Sequence, residues 1–313
     1  MSFILQTLTF EQFLQVAGDT NSLELYREIP FPNYGYEKLL KLFHLYCLVG
    51  GIPEVVESFA STRSIPRLTP LYDEQMERLF SQAVSVASTQ KTRERLLQIY
   101  QDTFPFAATR VTLKGFSDPG FRSREVGRAF RHFEHLHLLR LIYPTTKTSL
   151  PWNPDTRRSP RLQLPDTGLV TYFTGIQHVL QDSRDLSAVF NRQISLHIVG
   201  QELLASELET EAQVHFWVRQ KTQSSAEVDF VIEYAGLMMP VEVKPGEPGR
   251  LRSLHQFVDE APHPYAIRLY AGPLAVKESR TLRGKTFYLM SLPYFLAGKI
   301  REHLEGFIKF VNW

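Results

Sequence analysis

Three residues of this chain could do chemistry together: Asp229, Glu242 and Lys244. Asp229 sits inside the apolar run 226–232, and Glu242-Val243-Lys244 closes the next run, which opens at Pro240. A hard divalent cation such as Mg2+ (or Mn2+) takes oxygen ligands and keeps several waters, so two carboxylates suffice to dock it on a phosphate. Such a metal stabilises charge on phosphorus and acidifies a water. A lysine beside it orients that water or neutralises the developing charge. The expected roles are Asp229 and Glu242 as metal ligands, with Asp229, Glu242 and Lys244 as the catalytic set of a metal-dependent phosphodiesterase. Val243 would turn its side chain into the core and its carbonyl toward the metal. The plainer alternative is a surface hairpin whose charges are merely solvated, because Glu-x-Lys on one strand is common by chance.

A second set lies on a helix expected from an N-cap at Ser123. At 100° per residue, Arg124, Arg128, Arg131 and His135 fall within about a 60° arc. Val126, Ala129, Phe130 and Phe133 lie opposite, so one face packs and the other presents cations. Residues 76–165 hold 15 basic and 7 acidic side chains, a balance of +8, whereas the whole chain carries only +2. A polyanion is the partner such a field suits, and the four residues would contact phosphates or a groove, with DNA favoured over RNA. The alternative is a solvated helix face. Gly284-Lys285-Thr286 is no phosphate loop: Ser279 stands where its first glycine should, and a strand follows where a helix should. No other segment offers a Walker A pattern, so no ATP site is expected. Cys47, three residues from His44, sits among Leu45, Tyr46, Leu48 and Val49 and reads as a buried structural thiol. His197 reads as a packing or hydrogen-bonding residue.

The elements that would position these residues follow from periodicity and punctuation. Helices are expected after Thr9, over 36–49, from Pro53, and over 73–104 with a break near 85–90. A strand over 110–116, a turn at Asp118-Pro119-Gly120, the Ser123 helix and a strand over 138–143 suggest a winged helix. Residues 144–168, rich in Pro, Thr and Arg (Arg157, Arg158, Arg161), read as a linker or extended loop. A helix over 194–208, strands over 214–219, 226–232, 240–244, 266–270 and 286–289, a helix over 251–259 and a closing helix near Pro293 give the C-terminal part an α/β pattern. The chain divides on this reading into a helical segment (1–65), a winged-helix-like domain (66–150), a linker or extended connection (151–187) and an α/β domain (188–313), an α+β multi-domain protein.

With 313 residues and 43% hydrophobic side chains, the chain is long enough for two or three ordinary cores. The single cysteine forms no internal disulfide and no Cys/His cluster has zinc spacing, which fits a reduced, cytoplasmic setting. No segment has the length and hydropathy of a membrane span or signal peptide.

Several stretches together resemble the C-terminal part of a large family of bacterial and archaeal AAA-type ATPases, in the version common in Bacteroidetes. They are Leu8 to Leu14, Val49-Gly50-Gly51-Ile52-Pro53-Glu54, Arg122 to Val126, Pro160 to Leu164 with Asp166-Thr167-Gly168-Leu169, His197 to Leu203, 226–244 and Gly249 to Phe257. The resemblance implies an ATPase module followed by a domain of unknown function related to PD-(D/E)XK, or restriction-endonuclease-like, nucleases. It places Asp229, Glu242 and Lys244 at that domain's core. Two departures follow. The ATPase core that precedes these stretches has no counterpart here, which implies a separately encoded ATPase module as partner, or a split or truncated gene product. The family's glutamate before the His197 segment would stand at position 196, which is Leu196, and Pro245 replaces a small polar residue. Glu202 lies about 120° round the helix from Leu196 and is a poor substitute. The function implied is a nucleic-acid-binding protein with a nuclease-like domain that is degenerate in its metal chemistry. The alternative is a non-catalytic fragment or partner of an AAA-type ATPase, acting as a DNA-binding or protein-interaction platform.

Overall fold

The computed structural model describes residues 7–116, 118–177, 192–210, 213–220, 226–244 and 251–311. The architecture is α+β, and the chain divides into two compact units that take alternate stretches of sequence. One unit comprises Met1–Asp19, His44–Leu141 and Ser159–Val189; the other comprises Thr20–Phe43, Ile142–Arg158 and Phe190–Trp313. Among the described residues no helix is long and apolar enough to cross a membrane.

The first unit is mainly helical. It holds α1 (Phe10–Val16), the end of α3 (Tyr36–Val49), α4 (Pro53–Thr62), α5 (Thr69–Ala83), α6 (Gln90–Gln101), α7 (Ser123–His135) and α8 (Thr167–Phe173). Thr9 caps α1 as expected: its hydroxyl accepts from the Gln12 N–H, and the Gln12 side chain accepts from the Thr9 N–H. Pro53 opens α4 in its first turn, where a missing N–H costs nothing. Ser123 proves to be the first residue of α7 rather than its cap; Arg122 holds the cap position, without a side-chain hydrogen bond.

Three of the sequence stretches singled out above meet in one buried knot of this unit. The Leu8 N–H donates to the Gly51 carbonyl at 2.6 Å. Asp166 accepts from the Gly51 N–H at 2.7 Å and, as N-cap of α8, from the Leu169 N–H at 3.0 Å. A Cβ on Gly51 would stand 2.3 Å from the Leu8 carbonyl oxygen, and one on Gly168 2.6 Å from that of Val49, so only glycine permits the approach.

Two expectations fail here. Residues 110–116 form no strand: Arg110 makes a single bridge to Arg161, and the chain then turns, with Gly115 at φ +70°. The Ala108 and Val111 N–H groups donate to the Leu162 and Pro160 carbonyls, and the Thr109 carbonyl accepts from the Leu162 N–H. Nor is 144–168 a plain linker. It contains β2 (Pro144–Thr145) and β3 (Arg161–Gln163), and β3 pairs with β1 (Arg140–Ile142). Arg161 is buried, while Arg157 and Arg158 both pair with Asp155.

The second unit is built on a mixed sheet of seven strands in the order β2-β4-β5-β6-β7-β9-β8, where β4 is His215–Val218, β5 Glu227–Tyr234, β6 Leu237–Lys244, β7 Tyr265–Tyr270, β8 Ala275–Arg280 and β9 Thr286–Pro293. β5 and β6 are antiparallel, while β6, β7 and β9 run parallel. The central strands are apolar nearly throughout because both faces are covered. α10 (Arg252–Glu260) seats Leu254, Phe257 and Val258 on Val231, Met238, Ala266 and Leu289, and α9 (Arg192–Thr210) runs along β6. α11 (Ile300–Val311) is the last of the described elements.

Residues 20–43, carrying α2 (Thr20–Arg27) and the start of α3, belong to this unit although they lie far off in sequence. Phe31 meets Phe295 edge-on at 5.3 Å, Phe43 meets Tyr294 at 5.5 Å, and the Asn33 side chain both donates to and accepts from the Leu274 backbone.

Candidate functional site

The β5–β6 hairpin brings the three predicted residues together. Tyr234 pairs with Leu237 across a two-residue turn of Ala235 and Gly236, both at positive φ, and Phe230 pairs with Val241. One step further along that register, Asp229 lies opposite Glu242. Asp229 is fully buried and Glu242 is 5% exposed, so a solvated surface hairpin is excluded.

Each carboxylate has a cation. The Arg192 guanidinium donates to Asp229 Oδ1 at 2.5 Å, and the Val243 N–H donates to Asp229 Oδ2 at 2.8 Å. Arg192 also donates to the Val243 carbonyl at 2.9 Å. Lys244 Nζ lies 2.7 Å from Glu242 Oε1, while Glu242 Oε2 is buried and has no hydrogen-bond partner. Burial, and then the charge of Asp229, push the Glu242 carboxyl up to about 7 against the pull of Lys244 and Arg192. The parallel register extends the row: Glu242 pairs with Arg268 on β7, and Arg268 with Ser291 on β9. Arg268 donates to the Ser291 hydroxyl at 2.9 Å and lies over the Tyr270 ring at 4.3 Å.

This arrangement does not fit the Mg2+ or Mn2+ that the sequence suggests. Both oxygens of Asp229 and the Val243 carbonyl already accept hydrogen bonds, and the group spanning them is a cation. Glu242 Oε2 is the one carboxylate oxygen of the pair left over. Among the described residues no three His, Cys, Asp or Glu side chains converge as a metal cluster. Glu202 does not complete one: it is buried against Gly298, whose Cβ would lie 2.8 Å from Glu202 Oε2. Leu196 is buried one turn along α9 from Arg192, and His197 is buried. Pro245 lies outside the described residues.

The sequence reading missed Arg192, Arg268 and Ser291. The helix expected over 194–208 left Arg192 ahead of it, whereas the structure places Arg192 in its first turn. A cation in the first turn of a helix opposes the helix dipole, so its place there calls for a carboxylate partner.

The second predicted set also holds its geometry. Arg124, Arg128, Arg131 and His135 are all exposed on α7, while Val126, Ala129, Phe130 and Phe133 are buried. The arc's neighbour Glu125 is taken up by Arg95 at 2.6 Å. Two other residues are settled as structural. Lys285 donates to the Val258 and Ala261 carbonyls at the end of α10, which accounts for it without a phosphate. Cys47 is buried.

Two family models match the chain. A domain of unknown function (DUF4143), found in AAA ATPase-associated proteins, matches residues 197–295, and a second domain of unknown function (DUF8612) matches residues 40–179. No curated protein and no solved structure matches. The chain is therefore similar to DUF4143 from α9 through β9, the span that holds Asp229, Glu242 and Lys244, and to DUF8612 over most of the helical unit.

Proposed function

We propose that this protein binds nucleic acid through the cationic face of α7, and that its C-terminal unit is a restriction-endonuclease-like platform that does not cut. The observation that carries the reading is the exposed arc of Arg124, Arg128, Arg131 and His135, backed by a packed apolar face, in the region of the chain with a +8 balance. A winged-helix reading draws support from α6 and α7 followed by the β1–β3 pair, although its first strand shrinks to the Arg110 bridge. The platform reading draws support from Asp229, whose carboxylate is held by Arg192 and Val243 and is not open to a metal. DNA is the favoured ligand.

Fluorescence anisotropy with duplex DNA, single-stranded DNA and RNA over a range of salt tests the first part. Each phosphate contact contributes roughly 0.9 to the salt slope, so Arg124→Ala/Arg128→Ala/Arg131→Ala should flatten it by about 2–3 and weaken binding to every sequence alike. An unchanged slope sinks the reading. With Mg2+ or Mn2+ present, the wild type should release no more product than Lys244→Ala; cutting above that level would restore a nuclease.

A second reading is favoured by the DUF4143 match, since that domain occurs in AAA ATPase-associated proteins. Residues 1–60 would dock on a separately encoded AAA ATPase. A Walker A module encoded in a neighbouring reading frame, whose ATP hydrolysis this chain changes, is the expected finding; no effect on such a module counts against it.

A further inference from the structure

We infer that Arg192 is a built-in replacement for a divalent cation: its guanidinium holds the oxygens that a metal at this strand end would need, and the site becomes a metal site only when that side chain is removed. The donors and acceptors themselves carry the inference. A metal here would draw on Asp229, on the Val243 carbonyl and on Glu242, all hard oxygen ligands. Arg192 Nη2 lies on Asp229 Oδ1 and Nη1 on the Val243 oxygen, at 2.5 and 2.9 Å. A cation bonded to both oxygens at about 2.1 Å would sit inside that fork, against a like charge. One position cannot hold both.

Charge balance points the same way. Asp229 pairs with Arg192, and Glu242 with Lys244, so each carboxylate already faces a cation. A metal finds no excess negative charge there. Arg192 is not placed by the needs of its helix, because a cation opposes the dipole at that end. It is placed by Asp229, a fully buried carboxylate that requires a counter-charge. The guanidinium suits the task because its rigid fork spans a carboxylate and a carbonyl at once. Its side chain is 49% exposed, so removing it opens the position to solvent. Removal would withdraw the Arg192 donors from Asp229 Oδ1 and the Val243 carbonyl, beside the buried Glu242 Oε2, which has no hydrogen-bond partner.

Mn2+ titration followed by the EPR signal of free Mn2+ tests this without nucleic acid, so its outcome is separate from that of the binding reading above. Wild-type protein is expected to leave the Mn2+ signal unchanged. Arg192→Ala, and Arg192→Gln as a second variant that keeps a polar side chain at the helix start, should each take up about one Mn2+ per chain. Adding Asp229→Asn to either should abolish the uptake. Circular dichroism identifies which variants are folded. Stoichiometric uptake by the wild type that Asp229→Asn removes would overturn the inference. So would a folded Arg192 variant that takes up no Mn2+. The wild-type comparison stands whether or not a variant folds.

Discussion

Two buried aspartates of this protein meet the same physical problem with different partners. Asp229 accepts from a guanidinium as well as from a backbone N–H, whereas the hydrogen bonds to Asp166 come from backbone N–H groups. Burial pushes the Asp166 carboxyl up to about 6, and the donors from Gly51, Leu169 and Gly168 only partly oppose it. The sign of the consequence is fixed. The folded chain keeps this proton up to about pH 6, while the unfolded chain loses it near 3.8, so folding takes up a proton between those values. Stability is therefore greatest below the unfolded value and falls as pH rises through the window, by roughly 3 kcal/mol in all. Thermal unfolding of wild type and Asp166→Asn across that window should show a falling component in the wild type that the variant lacks. Equal slopes would mean that Asp166 is ionised in the folded protein. Asp229 and Glu242 were legible in the sequence because a charge inside an apolar strand has few reasons to be there. Arg192 was not, because an arginine ahead of a helix looks like an ordinary surface cation until the buried carboxylate it serves is known.

At the scale of elements, the β5–β6 hairpin sets the register of the site and carries one weak position. Ala235 sits at φ +50°, in the left-handed region that disfavours a Cβ, and Gly236 follows at φ +76°. Two-residue turns of this kind prefer Asn-Gly. Ala235→Asn should stabilise the protein by about 0.5–1 kcal/mol, read as a shift of the urea midpoint at unchanged slope. A lower midpoint would show that the alanine methyl makes contacts worth more than the strain. The elements legible in the sequence are those with strong local punctuation, such as Thr9 ahead of α1 and Pro53 at the start of α4. β8 was missed because Ala-Val-Lys-Glu-Ser-Arg shows no alternation of apolar and polar residues. Among the described residues it is an exposed edge strand paired with β9, and its charges are what keep such an edge from pairing with other chains. The 110–116 stretch misled in the opposite direction. Val111 and Thr112 favour a strand, but Gly115 and the bonds to Pro160 and Leu162 bend the segment into an irregular connection.

At the scale of the whole molecule, the sequence reading cut the chain into consecutive domains, while the structure divides it into units that exchange segments. Composition and periodicity report on neighbours in sequence, and nothing in 20–43 announces a partner some 250 residues away. A fragment of residues 188–313 would lack β2, Phe31, Asn33 and Phe43, leaving Phe295, Tyr294 and one edge of the sheet uncovered. It should express poorly or unfold without cooperativity in denaturant, where the intact chain unfolds cooperatively. A fragment as stable as that unit in the full chain would show that residues 20–43 are dispensable. The same segment exchange has a consequence for synthesis. Phe31 and Phe43 leave the ribosome long before Tyr294 and Phe295 exist. At ordinary translation speeds that interval is on the order of 10–50 s, ample time for the nascent chain to misassociate. The α2–α3 stretch thus keeps Phe31 and Phe43 without their aromatic partners for that whole interval, until Tyr294 and Phe295 are made.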